Sequence, residues 1–385
     1  MLNPSPPSTD VVVTAVGAVT ACGPSPGDLL DAVVGGADPF RTAEVPFVSA
    51  PLPAAPGAPP AARRVFAGHV TDGLDLTDLV GARTARALSR ESRLLLRAMG
   101  SAGAGPGPVA ERTGIVLGTL YAGRNEYLAI HGAAGTTGGV NPVWGPQTGY
   151  NAPAAQLSIH LGARGPNLTL SSGATAGLDA VVVGARQVAD ASCDVVVAAG
   201  VDTLCPAVAA AAVPADVPEG EAAAVVVLED ARSASGPPWA HVLGTARTTA
   251  AAGPGGPAAA ALTDAADRAI RAALAGADRF PAEVCFVVTA SGGRTDLQRI
   301  QLAAVTDLLG DARPVYDASA VTGATGGADG TLAVAVAVAA LRRGCVAPHS
   351  PEPPGAPLAL CLAVDAGGTA SAVLLGAAEA AGVRA

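Results

Sequence analysis

A chain of 385 residues, half of them apolar but only 3% aromatic, can bury a large core that must be built from Ala, Val and Leu around 48 glycines. The formal net charge of −9 argues against nucleic acid as a partner, and basic residues cluster no further than Arg63-Arg64 and Arg342-Arg343. No lysine occurs, all 23 basic residues being arginine, which excludes a lysine general base, Schiff base or phosphate clamp.

In chain order, Val11–Val16 reads as a buried strand. A first helix spans Pro26–Val34, with Ser25 as N-cap and proline at the first helical position. Pro46–Ala62, rich in Pro and Ala, reads as an exposed loop. Thr84–Met99 has the pattern of an amphipathic helix, Leu88, Leu95 and Met99 lying opposite Arg86, Arg90, Arg93 and Arg97. Thr113–Thr119 is a second buried strand, and a short helix from Asn125 to Gly132 precedes a glycine-rich segment. Strands follow at Val195–Ala199 and Ala222–Leu228. Composition breaks around Ser233–Pro238, dividing the chain into halves of 1–233 and 234–385. The second half reads as a strand at Trp239–Gly244, a helix at Ala258–Ala275 and a strand at Val284–Thr289. Helices at Leu297–Leu309 and Thr331–Arg342 follow, then strands near Leu358–Val364 and Ser371–Leu375. These strands are buried without alternation, the pattern of parallel sheets covered on both faces.

The six cysteines (Cys22, Cys193, Cys205, Cys285, Cys345, Cys361) are scattered without a C-x-x-C pair and read as buried reduced thiols. The five histidines (His69, His131, His160, His241, His349) have no metal-ligand spacing, so no metal and no other cofactor is expected. Met1–Asp10 lacks the features of a signal peptide, and the apolar run Thr331–Leu341 is too short to span a bilayer. The expectation is a cytoplasmic protein with no membrane partner.

The most informative stretch runs from Gly165 to Gln187. Asn167–Ser172 alternates as a strand, Gly173 permits a sharp turn, and Ala174–Gln187 is a helix of small residues. An abrupt strand-to-helix turn presents a nucleophile at a helix N-terminus, where backbone N–H groups and the dipole stabilise an anion. Here the residue at the turn is Ala174, which has no nucleophilic atom.

The segment Gly165–Gly177, GPNLTLSSGATAG, resembles the β-ketoacyl synthase motif GPN-x-T-x-S-T-A-C-A-S-G, with Ala174 at the nucleophilic cysteine. Gly177-Leu178-Asp179-Ala180 and Gly200-Val201-Asp202 are more similar to the chain length factor, the noncatalytic partner subunit of type II polyketide ketosynthases. The resemblance covers Val11 to Gly376. It implies a thiolase-like α/β fold, an α-β-α-β-α layered sandwich of two similar halves.

Condensation in that family uses a thiolate, two imidazoles and usually a lysine. The stretch matching A-H-G-T-G-T is Ala290-Ser291-Gly292-Gly293, with Ser291 at the first histidine. The stretch matching K-x-x-x-G-H-x-x-G-A-x-G runs from Ser319 to Gly330, with Ser319 for the lysine and Ala324 for the second histidine. Gly323, Gly327, Ala328 and Gly330 keep the small residues. The gating Gly-Phe-Gly-Gly loop stands as Asp365-Ala366-Gly367-Gly368. Chain length factors commonly carry glutamine where this chain has Ala174, so not even partial decarboxylation is implied.

The resemblance thus implies a subunit without catalytic residues of its own. It would pair with an active ketosynthase and shape the tunnel that sets polyketide length while malonyl units are condensed on an acyl carrier protein. Tyr127, Ile130 and Ala134, sharing one face of the Asn125–Ala134 segment, would line the tunnel. Asn167, Leu168, Thr169, Leu170, Ser171 and Ser172, with Val143 and Trp144, would face the partner. The carrier protein, with its phosphopantetheine-linked chain, would be engaged mainly through the ketosynthase. Two other readings stay open: an acyl transferase or hydrolase using Ser172 or Ser291, and a free-standing acyl-binding scaffold.

Overall fold

The computed structural model describes residues 10–45, 63–71, 73–103, 110–136, 140, 142–205, 218–344 and 356–378, with backbone alone for 42–45, 63–66 and 134–136. The Pro46–Ala62 loop, Cys345, His349 and most of Met1–Asp10 lie outside the described residues.

The strands are β1 (Val11–Val19), β2 (Arg41–Val45), β3 (Arg63–Gly68), β4 (Thr113–Gly118), β5 (Asn167–Leu170), β6 (Val195–Asp202) and β7 (Glu219–Gly220). They continue with β8 (Ala222–Asp230), β9 (Ala240–Thr249), β10 (Val284–Ala290), β11 (Val315–Asp317), β12 (Leu358–Val364) and β13 (Thr369–Ala377). Ten of them form one sheet in the order β11-β10-β12-β13-β9-β1-β8-β6-β4-β5. Strands of the later chain therefore occupy one side and strands of the earlier chain the other, meeting where β9 pairs with β1. A small sheet, β2-β3-β7, stands apart.

Five layers follow from what each sheet face buries. The middle layer holds the helices Ala176–Ala189 and Asp329–Arg343, packed among Val16, Val226, Val288 and Cys361. Twelve of the fifteen residues of Asp329–Arg343 are buried, as a helix packed against both the earlier-chain and the later-chain strands of the sheet requires. One outer layer packs Leu94, Leu95, Met99 and Leu157 on β4, β6 and β8. The other packs Leu262, Ile270, Leu297 and Val305 on β10, β12 and β13. This is the thiolase-like α-β-α-β-α sandwich of two similar halves.

Strand direction departs from expectation. Within the ten-stranded sheet only the outer pairs β4–β5, β4–β6, β10–β11 and β10–β12 are parallel. The central pairs β6–β8, β8–β1, β1–β9, β9–β13 and β13–β12 are antiparallel. Helices cover both faces of the central strands β1, β6, β8, β10 and β12, so these read as apolar runs whichever way their neighbours point.

The helix expected at Thr84–Met99 is two, Ala82–Ala87 and Arg90–Ser101. Leu88 is extended, and the Ser89 side chain accepts the Ser92 N–H as an N-cap. The helix Ala152–Leu161 has no counterpart in the sequence reading. Ser25 caps Pro26–Gly35 as expected.

Candidate functional site

The strand expected at Asn167–Ser172 ends at Leu170, and Ser171-Ser172 lead into the turn. Gly173–Thr175 is a single 3₁₀ turn that runs directly into the helix Ala176–Ala189. Gly173 has φ 74°, a left-handed conformation that a side chain would strain. A Cβ there would also lie 2.1 Å from Asp365 Oδ2.

The loops carrying the other degenerate positions converge on this turn. A Cβ at Gly292 would stand 3.6 Å from the Ala174 methyl and 3.6 Å from Asp329 Oδ2. Ser291 Oγ donates to Asp317 Oδ2 at 2.6 Å and lies 3.2 Å from Ser319 Oγ, which itself donates to Asp317 Oδ1 at 2.7 Å. Ala324 is tied to the small sheet, its carbonyl accepting the Gly220 N–H at 3.0 Å. Backbone holds these loops at close range. A Cβ at Gly330 would sit 2.2 Å from Leu178 N, so the two central helices touch where any side chain would separate them.

Carboxyl groups dominate the surroundings. Asp179, buried in the first turn of its helix, accepts from Ser172 Oγ and Ser371 Oγ at 2.5 Å and from Thr175 Oγ1 at 3.0 Å, and meets Arg247 Nε at 3.3 Å. Asp202, at the end of β6, accepts from Thr119 Oγ1 (2.7 Å) and the N–H groups of Leu120 (2.8 Å), Tyr121 (2.8 Å) and Gly327 (2.6 Å). Complete burial still pushes its pKa up to about 6. Asp329 accepts from Thr325 through Oδ1, while its buried Oδ2 has no partner. Burial, with the charges of Asp317 and Asp202 adding to it, raises its pKa to about 7. Asp365, partly buried, accepts the Ala174 N–H at 2.8 Å and the Gly367 N–H at 2.7 Å.

The four degenerate positions thus lie in neighbouring loops but present two methyls and two hydroxyls already committed to a carboxylate. The described histidines are elsewhere: His69 contacts Arg90, His241 contacts Asp10, His131 stacks on Tyr127, and His160 is exposed in the last turn of the helix Ala152–Leu161. Among the described residues no group of three His, Cys, Asp or Glu side chains could hold a metal ion, and no helix is long and apolar enough to cross a membrane.

The helix expected over Asn125–Gly132 extends from Arg124 to Thr136. Tyr127 is 58% exposed and Ile130 is partly buried, while the Ala134 side chain is not among those described. Val143 and Trp144, on the 3₁₀ helix Pro142–Thr148, are 45% and 37% exposed. Trp144 is therefore no core residue of this chain alone. Among the described residues β5 pairs only with β4, leaving its other edge without a strand, and Leu168 is exposed. Asp179, Asp202, Asp329 and Asp365 were not among the candidate site residues read from sequence. The signals for them are that Asp179 and Asp202 stand in the stretches resembling the chain length factor and that Asp365 stands where the family motif has glycine.

Residues 8–216 match the family described as beta-ketoacyl synthase, N-terminal domain. The chain is 29% identical over 234 residues to a putative polyketide beta-ketoacyl synthase 1 of Streptomyces virginiae, covering 52% of this chain and 54% of that one. It is 35% identical over 95 residues to 3-oxoacyl-[acyl-carrier-protein] synthase 2 of Vibrio harveyi, covering 24% of this chain and 23% of that one. A match to a mycocerosic acid synthase-like polyketide synthase of Mycobacterium tuberculosis is 30% identical over 128 residues, 32% of this chain and 6% of that protein. The matches span at most 54% of the length of these relatives, and 23% and 6% for the second and third. Among solved structures, the ishigamide ketosynthase/chain length factor superposes with a TM-score of 0.77 at 21% identity, covering 96% of this chain and 99% of that one. A ketosynthase in complex with its chain length factor from Xenorhabdus doucetiae gives 0.73 at 20% identity, covering 96% and 98%. With more than half its length matching the family, this chain belongs to the beta-ketoacyl synthases.

Proposed function

We propose that the chain is a noncatalytic ketosynthase-like subunit, a chain length factor, that pairs with an active ketosynthase and completes the tunnel into which a polyketide grows on an acyl carrier protein. The observation that carries this reading is the turn at Ala174. The strand, left-handed glycine and helix are all built, and the residue they display is a methyl group. Ser291, Ser319 and Ala324 fill the remaining positions without an imidazole or ammonium group.

The edge of β5 that no described strand pairs with, and the exposed side chains of Leu168, Val143 and Trp144, support a partner for this chain. A bare strand edge favours pairing with another chain, and exposed apolar side chains favour burial against one. Under this reading Asn167–Leu170 pairs antiparallel with its counterpart, Ser171 and Ser172 follow it across the interface, and Trp144 is the anchor. Tyr127, exposed in the single chain, together with Ile130 and Ala134 would then line the tunnel. We place the boundary between the halves at 233/234, in the connection from β8 to β9, and the protein in the cytoplasm.

The test is to purify the chain alone and with a ketosynthase, and to supply acyl- and malonyl-loaded carrier protein. The expected result is no acyl adduct by intact mass and no product from the chain alone, with a heterodimer and polyketide when both are present. Leu168→Asp should abolish co-migration. A stable adduct on the isolated chain would instead support the serine-dependent reading.

A further inference from the structure

We propose that Asp365 is a built-in ligand of the anion-binding turn, so that the site is closed by a carboxylate as well as lacking a nucleophile. A strand-to-helix turn offers its free N–H groups and the positive end of the helix dipole to an anion. In an acyl-transfer site such an N–H receives the carbonyl oxygen of the bound acyl group as charge develops on it. Here the Ala174 N–H already donates to Asp365 Oδ2 at 2.8 Å.

The fit is specific on both sides. Asp365 is the first residue of the four-residue connection between β12 and β13. Its own N–H donates to Thr369 O at 2.8 Å and its carbonyl accepts the Gly368 N–H at 3.0 Å, which fixes the loop. Its second carboxylate oxygen takes the Gly367 N–H at 2.7 Å, fixing the side chain. On the turn side, a Cβ at Gly173 would come within 2.1–2.7 Å of all three carboxyl atoms, so the carboxylate rests in the space that glycine leaves.

An independent observation points the same way. The second half of the molecule has a like turn, Gly326–Ala328, running into the helix Asp329–Arg343. Its Gly327 N–H donates at 2.6 Å to Asp202 Oδ2, a carboxylate at the end of β6. β6 and β12 occupy equivalent places, each with a parallel neighbour on one side and an antiparallel one on the other. The chain therefore treats both turns alike, ending the adjacent strand with an aspartate that takes the turn's N–H. Applied to the turn at Ala174, that device occupies the place of a substrate oxygen. A neutral carbonyl loses its donor, and an anionic group meets a like charge.

The inference deepens the noncatalytic reading and rests on it, but its test reads the turn directly. Ala174→Cys would place a thiol beside Asp365, whose charge disfavours the thiolate and slows alkylation by iodoacetamide, in which the S–C bond forms as iodide leaves. At equal pH the thiol of Ala174→Cys/Asp365→Asn should react about tenfold faster than that of Ala174→Cys, and that of Ala174→Cys/Asp365→Gly at least as fast. Alkylation is followed by peptide mass on the purified chain, with or without its partner. In the natural background, Asp365→Gly should raise amide exchange in the segment 171–177 by about tenfold, because the Ala174 N–H loses its acceptor. Equal alkylation rates in all three variants, or unchanged exchange in Asp365→Gly, would overturn the proposal. Should the cysteine variants fail to fold, the exchange measurement alone decides. Acyl transfer by the unaltered chain would overturn the noncatalytic reading, whatever the exchange result.

Discussion

The two central turns, Gly173–Thr175 and Gly326–Ala328, are built to one plan and differ in what surrounds their carboxylates. Asp202 is completely buried and takes four donors, from Thr119, Leu120, Tyr121 and Gly327. It ties the end of β4, the end of β6 and the second turn into one unit. Asp365 sits on a partly buried hairpin and takes two donors, one of them from the exposed Gly367. The same interaction is a structural keystone at one turn and a removable plug at the other. The difference shows how a fold with an internal repeat can spend one copy of a feature on stability and the other on the state of a site.

The comparison breaks most visibly by deletion. Asp202→Ala leaves four donors, those of Thr119 and Gly327 buried, without their acceptor, and should cost about 3–5 kcal/mol of unfolding free energy. Asp365→Ala frees two donors that water can reach and should cost about 1 kcal/mol. Denaturant unfolding of the two variants checks both numbers. Equal losses would mean that the turns are not distinguished by burial.

A second effect comes from pH. Asp329 titrates near 7 against an ordinary 3.8, raised chiefly by burial. Asp202 titrates near 6, and Glu126 near 7, the latter raised by burial and then by the charge of Glu91. An acid whose folded pKa lies above its unfolded value holds its proton more tightly when folded. Its favourable contribution is complete below the unfolded pKa and is lost as pH rises through the folded one. Unfolding free energy should therefore fall between about pH 5 and about pH 8, and Asp329→Asn should remove about 1–3 kcal/mol of that fall. An unchanged slope in Asp329→Asn would assign the pH dependence to the other two groups.

Much of the fold is legible in the sequence because it depends on local pattern. The runs at Val195–Ala199, Ala222–Leu228 and Leu358–Val364 are too apolar to be anything but interior, and Ser25-Pro26 announces a helix start. Strand direction is not legible, since a strand buried on both faces carries no mark of its neighbour's polarity. Ser89 hid the break in the expected Thr84–Met99 helix, because a serine that caps and a serine within a polar face look alike until the backbone turns. At the site, the missing nucleophile could be read at Ala174 from the motif around it. The carboxylates that now organise the site could not. Asp365 meets Ala174 across 191 positions and Asp202 meets Gly327 across 125, and in each case the partner is a backbone N–H that no side-chain pattern records.

The smallest effect sharpens the comparison at Gly173, where two separate reasons require glycine. The backbone is left-handed, at φ 74°, and the space beside Cα is filled by Asp365. Gly173→Ala should therefore destabilise by about 1–3 kcal/mol, part of it from the dihedral and part from displacing the carboxylate. The second part depends on Asp365 and the first does not. In the Gly173→Ala/Asp365→Gly double variant the displaced carboxylate is gone, so the two losses should sum to less than additive, with a coupling of about 0.5–1 kcal/mol. The corresponding pair in the other turn offers the control. A Cβ at Gly326, also left-handed, would lie 2.6 Å from Asp202 Oδ2. Removing Asp202 to make room there strands its donors Thr119, Leu120 and Tyr121, just after β4, so Gly326→Ala should gain no net stability from that removal. Rescue at the first turn and none at the second is the outcome that separates a plug from a keystone. Full additivity at Gly173 would mean that the carboxylate yields to a methyl group at no cost, and the close fit between loop and turn would carry no energy.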